Sequence, residues 1–135
     1  HAEKQIDGTK DPALTVQGKQ RANWLAQYLK DKNIKTIYSS NYKRTRQTVA
    51  PLAQKLGLQV KLYHPGKLEA FTRQLKNSRQ NSVIVGHSNT IPATVELLGG
   101  KPGGAIDESE YDRLYLLRIH NGKVKTSLLE SKLNK

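Results

Sequence analysis

The chain has 135 residues, 36% hydrophobic and 25% charged, enough for one domain whose core buries about two thirds of the unfolded chain's surface. It has no cysteine, which excludes disulfides, thiol catalysis and cysteine-ligated zinc, and no apolar run approaches the roughly 18 residues of a membrane helix. The formal charge is +12, from 23 Lys and Arg against 11 Asp and Glu, which favours anionic partners or else describes a lysine-rich solvated surface.

Residues 1–13 are polar, carry Gly8 and Pro12, and read as a loop. A helical pattern follows from Leu14 and Thr15 to about Lys30, with Thr15 as N-cap and Ala22, Leu25, Ala26 and Leu29 on one stripe. Ile34 to Ser40 is short and β-prone. A second helix is expected from about Tyr42 to Leu56, closed by Gly57 and kinked or split at Pro51, which lacks an amide hydrogen. Leu58 to Tyr63 reads as a strand, residues 66–77 as a helix with Leu68, Phe71 and Leu75 on one face, and Ser82 to Val85 as a compact strand. A helix over about Ile91 to Leu98 has Pro92 in its first turn and Gly99-Gly100 after it. After a glycine-rich loop, Arg113–His120 and Lys123–Leu129 read as strands joined at Asn121-Gly122, a two-residue hairpin signal. This alternation predicts an α/β fold: a three-layer sandwich of one domain over 1–135, with a mostly parallel sheet, helices on both faces and a C-terminal hairpin.

Three segments can carry chemistry. His1-Ala2-Glu3-Lys4, taken alone, reads most simply as a disordered chain end or a cloning remnant. Ser39 to Thr48 runs from a strand end into a helix start, where free amides and the helix dipole attract anions and Arg44 adds a planar fork for phosphate; a basic solvated first turn is the plainer reading. Val83-Ile84-Val85-Gly86-His87-Ser88-Asn89-Thr90 places a histidine at the carboxyl edge of a buried strand, with a glycine that permits close backbone approach and the Ser88 amide near a helix start. This third segment is the strongest site signal. His64 and His120 sit at strand ends and read as ordinary surface residues, and no histidine spacing suits a metal.

Together these segments resemble the histidine phosphatase superfamily, which includes phosphoglycerate mutases and acid phosphatases. The matching residues are His1-Ala2-Glu3, then Leu14-Thr15 with Gly18 and Ala22, then Ser39-Ser40, Arg44-Thr45 and Gln47-Thr48, and last Val85 through Pro92. They stand in the family's order and at its spacings across essentially the whole chain. The family's first strand, and the arginine that precedes its nucleophile, are absent from this chain. The resemblance therefore implies a natural protein that extends N-terminally beyond His1.

The resemblance implies a phosphatase acting on phosphate monoesters or phosphohistidine, with His1 as nucleophile, Arg44, His87 and Ser88 holding phosphate, and no metal or organic cofactor. It also implies a proton donor from the segment before the second histidine motif. Glu69 is the only acidic residue between Asp31 and Glu96 and takes that place. The expected partner is a phosphorylated small molecule or phosphoprotein. Nucleic acid is not expected, because the lysines are scattered rather than clustered with aromatics. A non-catalytic module binding phosphorylated ligands or nucleic acid is the alternative, and a mutase is disfavoured because there is little room for a lid. The missing thiols and the non-methionine start favour an exported or periplasmic location over a cytoplasmic one.

Overall fold

The computed structural model describes residues 1–6, 8–107, 110–120 and 123–131. The elements among them are α1 (Val16–Leu29), β1 (Thr36–Ser39), α2 (Lys43–Leu56), β2 (Val60–Leu62), α3 (Leu68–Ser78), β3 (Ser82–Val85), α4 (Thr90–Leu97), β4 (Arg113–His120) and β5 (Lys123–Glu130). Their order is the one the sequence predicts. Asn121-Gly122, the expected hairpin turn, lies outside the described residues.

β1, β2 and β3 form a parallel sheet in the order β2-β1-β3, and β4 and β5 form a separate antiparallel pair. The period of two along a strand divides the core between the faces of the parallel sheet. Ile37, Val83 and Val85 pack with Ala26 and Leu29 of α1 and with Val49, Leu52 and Ala53 of α2. Tyr38 and Ile84 pack instead with Phe71 and Leu75 of α3 and with Leu98 just after α4. Helices therefore cover both faces, and all three strands end their carboxyl edges on the same side, where α/β folds bind ligands.

Local chemistry explains the element ends. Thr15 is the N-cap of α1, its side chain accepting from Gly18 N at 3.0 Å. Gly57 stops α2 with φ at 65°, a left-handed conformation that costs glycine nothing. Pro51 does not split α2 as expected. The buried residues Val49, Leu52 and Ala53 flank it, and their packing on α1 and the sheet outweighs one lost backbone hydrogen bond. The segment read as a loop at the chain start also carries one antiparallel bridge, Lys4 to Leu14, beside a hydrogen bond from Gln5 N to Ala13 O at 2.8 Å.

Candidate active site

His1 is anchored through the two residues next to it in the chain. Ala2 is fully buried against Leu14 and Ala22, and its amide donates to Thr48 Oγ1 at 2.9 Å. Thr48 in turn donates to Arg44 O at 2.6 Å, so the histidine segment and the arginine of α2 share one side chain. Glu3 is clamped by Arg21 of α1, with Nε to Oε1 at 2.7 Å and Nη2 to Oε2 at 3.1 Å. Arg21 Nη1 also donates to Ser131 O at 2.6 Å and to Ser131 Oγ at 2.8 Å. A buried pair of this kind stays favourable because every charged atom has a geometrically good partner.

The His1 side chain has one assignable proton. Its Nδ1 lies 2.8 Å from Ala2 O. A carbonyl oxygen only accepts, so Nδ1–H is the donor and the neutral ring keeps its lone pair on Nε2.

His87 stands where β3 ends. Gly86 before it is required, because a Cβ there would meet Tyr63 Oη at 2.6 Å and Thr90 Oγ1 at 3.0 Å. Tyr63 is buried, donates to Val85 O at 2.9 Å, and stacks on Phe71 with ring centroids 4.3 Å apart. Burial pushes its phenol up to about 12. The His87 ring meets His1 edge to face, centroids 5.6 Å apart, and Tyr42 likewise at 5.0 Å. Its Nε2 is 2.8 Å from Ser40 Oγ. Burial, and then the positive charge of Arg44, lower the imidazole from 6.5 to about 4, so it is neutral near pH 7 in the ligand-free site.

Arg44 reaches His87 with Nη2 at 3.5 Å from Nδ1 and lies over the Tyr42 ring at 4.7 Å. Its Nε and Nη1 are buried and have no hydrogen-bond partner among the described residues. A buried guanidinium with two idle donors is costly, and an anion is the natural acceptor for its fork.

A small cavity opens beside these groups. His1, His87 and Ser88 line it together with Asp107, Glu110 and Tyr111. The structure thus brings His1, His87 and Ser88 to one cavity and sets Arg44 against His87. Glu69 is not brought there: it is exposed in the first turn of α3 and does not line the cavity. Among the described residues the carboxylates that line the cavity are Asp107 and Glu110, and Glu110 is forked by Arg113 at 2.8 and 3.0 Å. They come from the glycine-rich loop, whose sequence carries no periodicity that would aim it at β3. Ser40 and Thr48 stand in motifs legible in the sequence, but their bonds to His87 and Ala2 are tertiary and needed the fold.

The family model for the histidine phosphatase superfamily (branch 1) matches residues 1–64. The probable phosphoglycerate mutase GpmB of Shigella dysenteriae serotype 1 is 30% identical over 115 residues, 82% of this chain. The chain belongs to the histidine phosphatase superfamily. It spans about half, 49%, of that curated relative's length. Among solved structures of this superfamily's fold, the protein histidine phosphatase SixA complexed with tungstate superposes with a TM-score of 0.75 at 19% identity, covering 97% of this chain and 93% of that one. The mycobacterial glucosyl-3-phosphoglycerate phosphatase gives 0.76 at 14% identity, with 98% and 96% covered. At these identities the likeness is one of fold, and it spans the helices, the parallel sheet and the hairpin together.

Proposed function

We propose that this chain hydrolyses phosphate monoesters or phosphohistidine through a covalent phosphohistidine on His1. The observation that supports this most is Arg44, with two buried unpartnered donors among the described residues, set against His87, whose ring meets that of His1. Such an arrangement stabilises a tetrahedral oxyanion and little else, and phosphoryl transfer depends mainly on positioning and charge.

In the first step the Nε2 lone pair of His1 attacks phosphorus. The N–P bond forms as the P–O bond to the leaving group breaks, or the P–N bond where phosphohistidine is the substrate, and the leaving oxygen or nitrogen takes the electron pair. Arg44, His87 and Ser88 hold the non-bridging oxygens. In the second step water attacks phosphorus, the N–P electron pair returns to Nε2, and inorganic phosphate departs. The proton that the leaving group gains is balanced by the one that water loses. Covalent relay divides one difficult displacement into two easier ones.

The position of Glu69 leaves it out of this scheme, and Glu110 is paired with Arg113. Unless Asp107 donates a proton, substrates whose leaving groups need little protonation fit this cavity best: phosphohistidine, acyl phosphates and aryl phosphates. The name of SixA, a protein histidine phosphatase, agrees with that class. The resemblance to a probable phosphoglycerate mutase favours a second reading, in which the phosphoryl group passes to another hydroxyl of a phosphoglycerate. Product analysis separates the two, since hydrolysis releases inorganic phosphate and mutation does not. The hydrolase reading expects turnover of p-nitrophenyl phosphate without added metal and none in His1→Ala. Equal turnover by that variant would defeat it.

A further inference from the structure

The hydrogen bonds around His87 leave one consistent placement of its protons. We infer that Ser40 and Thr45 form a buried hydroxyl relay that holds His87 in its Nε2–H tautomer and presents Nδ1 toward Arg44, which makes both of them positioning residues. The relay's effect on phosphate rests on the function proposed above; the tautomer itself does not.

Thr45 Oγ1 lies 2.9 Å from Ser40 O and 3.1 Å from Tyr42 O. Both are carbonyl oxygens, so the single Thr45 hydroxyl proton is committed to them. Toward Ser40 Oγ, 2.9 Å away, Thr45 can therefore only accept. The Ser40 proton goes to Thr45, and Ser40 Oγ can only accept from His87 Nε2 at 2.8 Å. Nε2 must carry hydrogen.

The other ring nitrogen gives the same answer independently. Nδ1 faces Arg44 Nη2, and guanidinium nitrogens are donors only. A hydrogen on Nδ1 would oppose another at 3.5 Å. The reversed relay would thus draw the Thr45 proton away from both carbonyls at one end and set two donors in conflict at the other. Ser40 and Thr45 are both fully buried, so water does not compete for these bonds.

The consequence is directional. Nδ1 is the nitrogen that faces an incoming anion beside Arg44: it is a lone pair in the ligand-free site and becomes a donor by taking up one proton, from solvent or from a monoanionic phosphate. The charged and titratable groups acting on it are Arg44, Lys4 and His1, with Tyr42 packed against the ring. Without the relay the ring can exchange tautomers or turn over, and the site loses a fixed partner for one phosphate oxygen.

Histidine-selective 15N labelling of the chain near neutral pH, with His87 signals assigned by their loss in His87→Gln, reads the tautomer directly. The expected spectrum has protonated Nε2 and unprotonated Nδ1. Ser40→Ala and Thr45→Val should mix the tautomers and weaken inorganic phosphate binding by about 10- to 100-fold. Thr45→Ser, which keeps the hydroxyl, should recover the Nε2–H form. An Nδ1–H signal in the unaltered chain would overturn the relay, as would folded Ser40→Ala with an unchanged His87 spectrum. If Ser40→Ala does not fold, the unaltered chain and the Thr45 pair decide. The spectrum needs no substrate, so a chain with the expected tautomer but no phosphatase turnover would count against the enzyme reading alone.

Discussion

The backbone of Glu3 rests directly on Gly18. The Glu3 carbonyl accepts from Thr15 N at 2.9 Å, and a Cβ on residue 18 would overlap that same oxygen. The first turn of α1 is therefore a seat for the segment that carries His1. Gly18→Ala adds one methyl group against backbone, which cannot rotate away. Its expected effect is displacement of residues 1–3, a stability loss of roughly 1–3 kcal/mol and loss of phosphatase turnover. Gly8→Ala is the control for turnover, since its Cβ meets nothing within 4 Å although its φ of 78° strains it. Urea denaturation and p-nitrophenyl phosphate assays measure both. Full activity in Gly18→Ala would mean that His1 is not positioned through this contact.

Arg44 sets function against stability. Two of its nitrogens are buried without partners among the described residues, and an unmet buried donor costs roughly 1–3 kcal/mol. Arg44→Met keeps an unbranched stem over Tyr42 and removes the donors. The ligand-free variant should be at least as stable as the unaltered chain. Inorganic phosphate should raise the melting temperature of the unaltered chain and leave that of Arg44→Met unchanged. A variant that is clearly less stable, yet still stabilised by phosphate, would show that Arg44 is a structural residue.

The pH dependence of stability should carry the mark of His87. Its imidazole is lowered from 6.5 to about 4 by burial and by Arg44. Between those values the unfolded chain binds a proton that the native chain refuses. This contribution is therefore complete above about 6.5 and is lost as pH falls toward 4. Urea midpoints at about pH 7 and about pH 5 should differ more for the unaltered chain than for His87→Gln, which has no imidazole to titrate. Identical differences would mean that His87 titrates normally in the native state.

Most of the fold is legible because its elements carry their own punctuation. Thr15 caps α1 and Gly57 ends α2 as their residue types suggest, and the apolar run at β3 is bounded by polar residues and Gly86. Pro51 does not split α2, because tertiary burial on both sides keeps the helix continuous. His1, Arg44 and His87 emerge from motif order, and two of the motifs also fix their residue locally, Arg44 at a helix start and His87 at a strand end. The carboxylates do not. Glu69 stands out only as the sole acid in its segment, whereas Asp107 and Glu110 reach the cavity by the path of a loop without periodic pattern. The hydroxyls that orient His87 are likewise invisible to spacing, because Ser40 meets His87 only after β1 and β3 pair.

Everything turns on the phosphoryl acceptor, and trapping it is the most direct test. The chain would be mixed with a radiolabelled phosphodonor, quenched in alkali, and digested to locate an acid-labile phosphate. The expected label sits on Nε2 of His1 and disappears on the timescale of phosphate release. Label on His87, or rapid phosphate release by His1→Ala, would contradict the account.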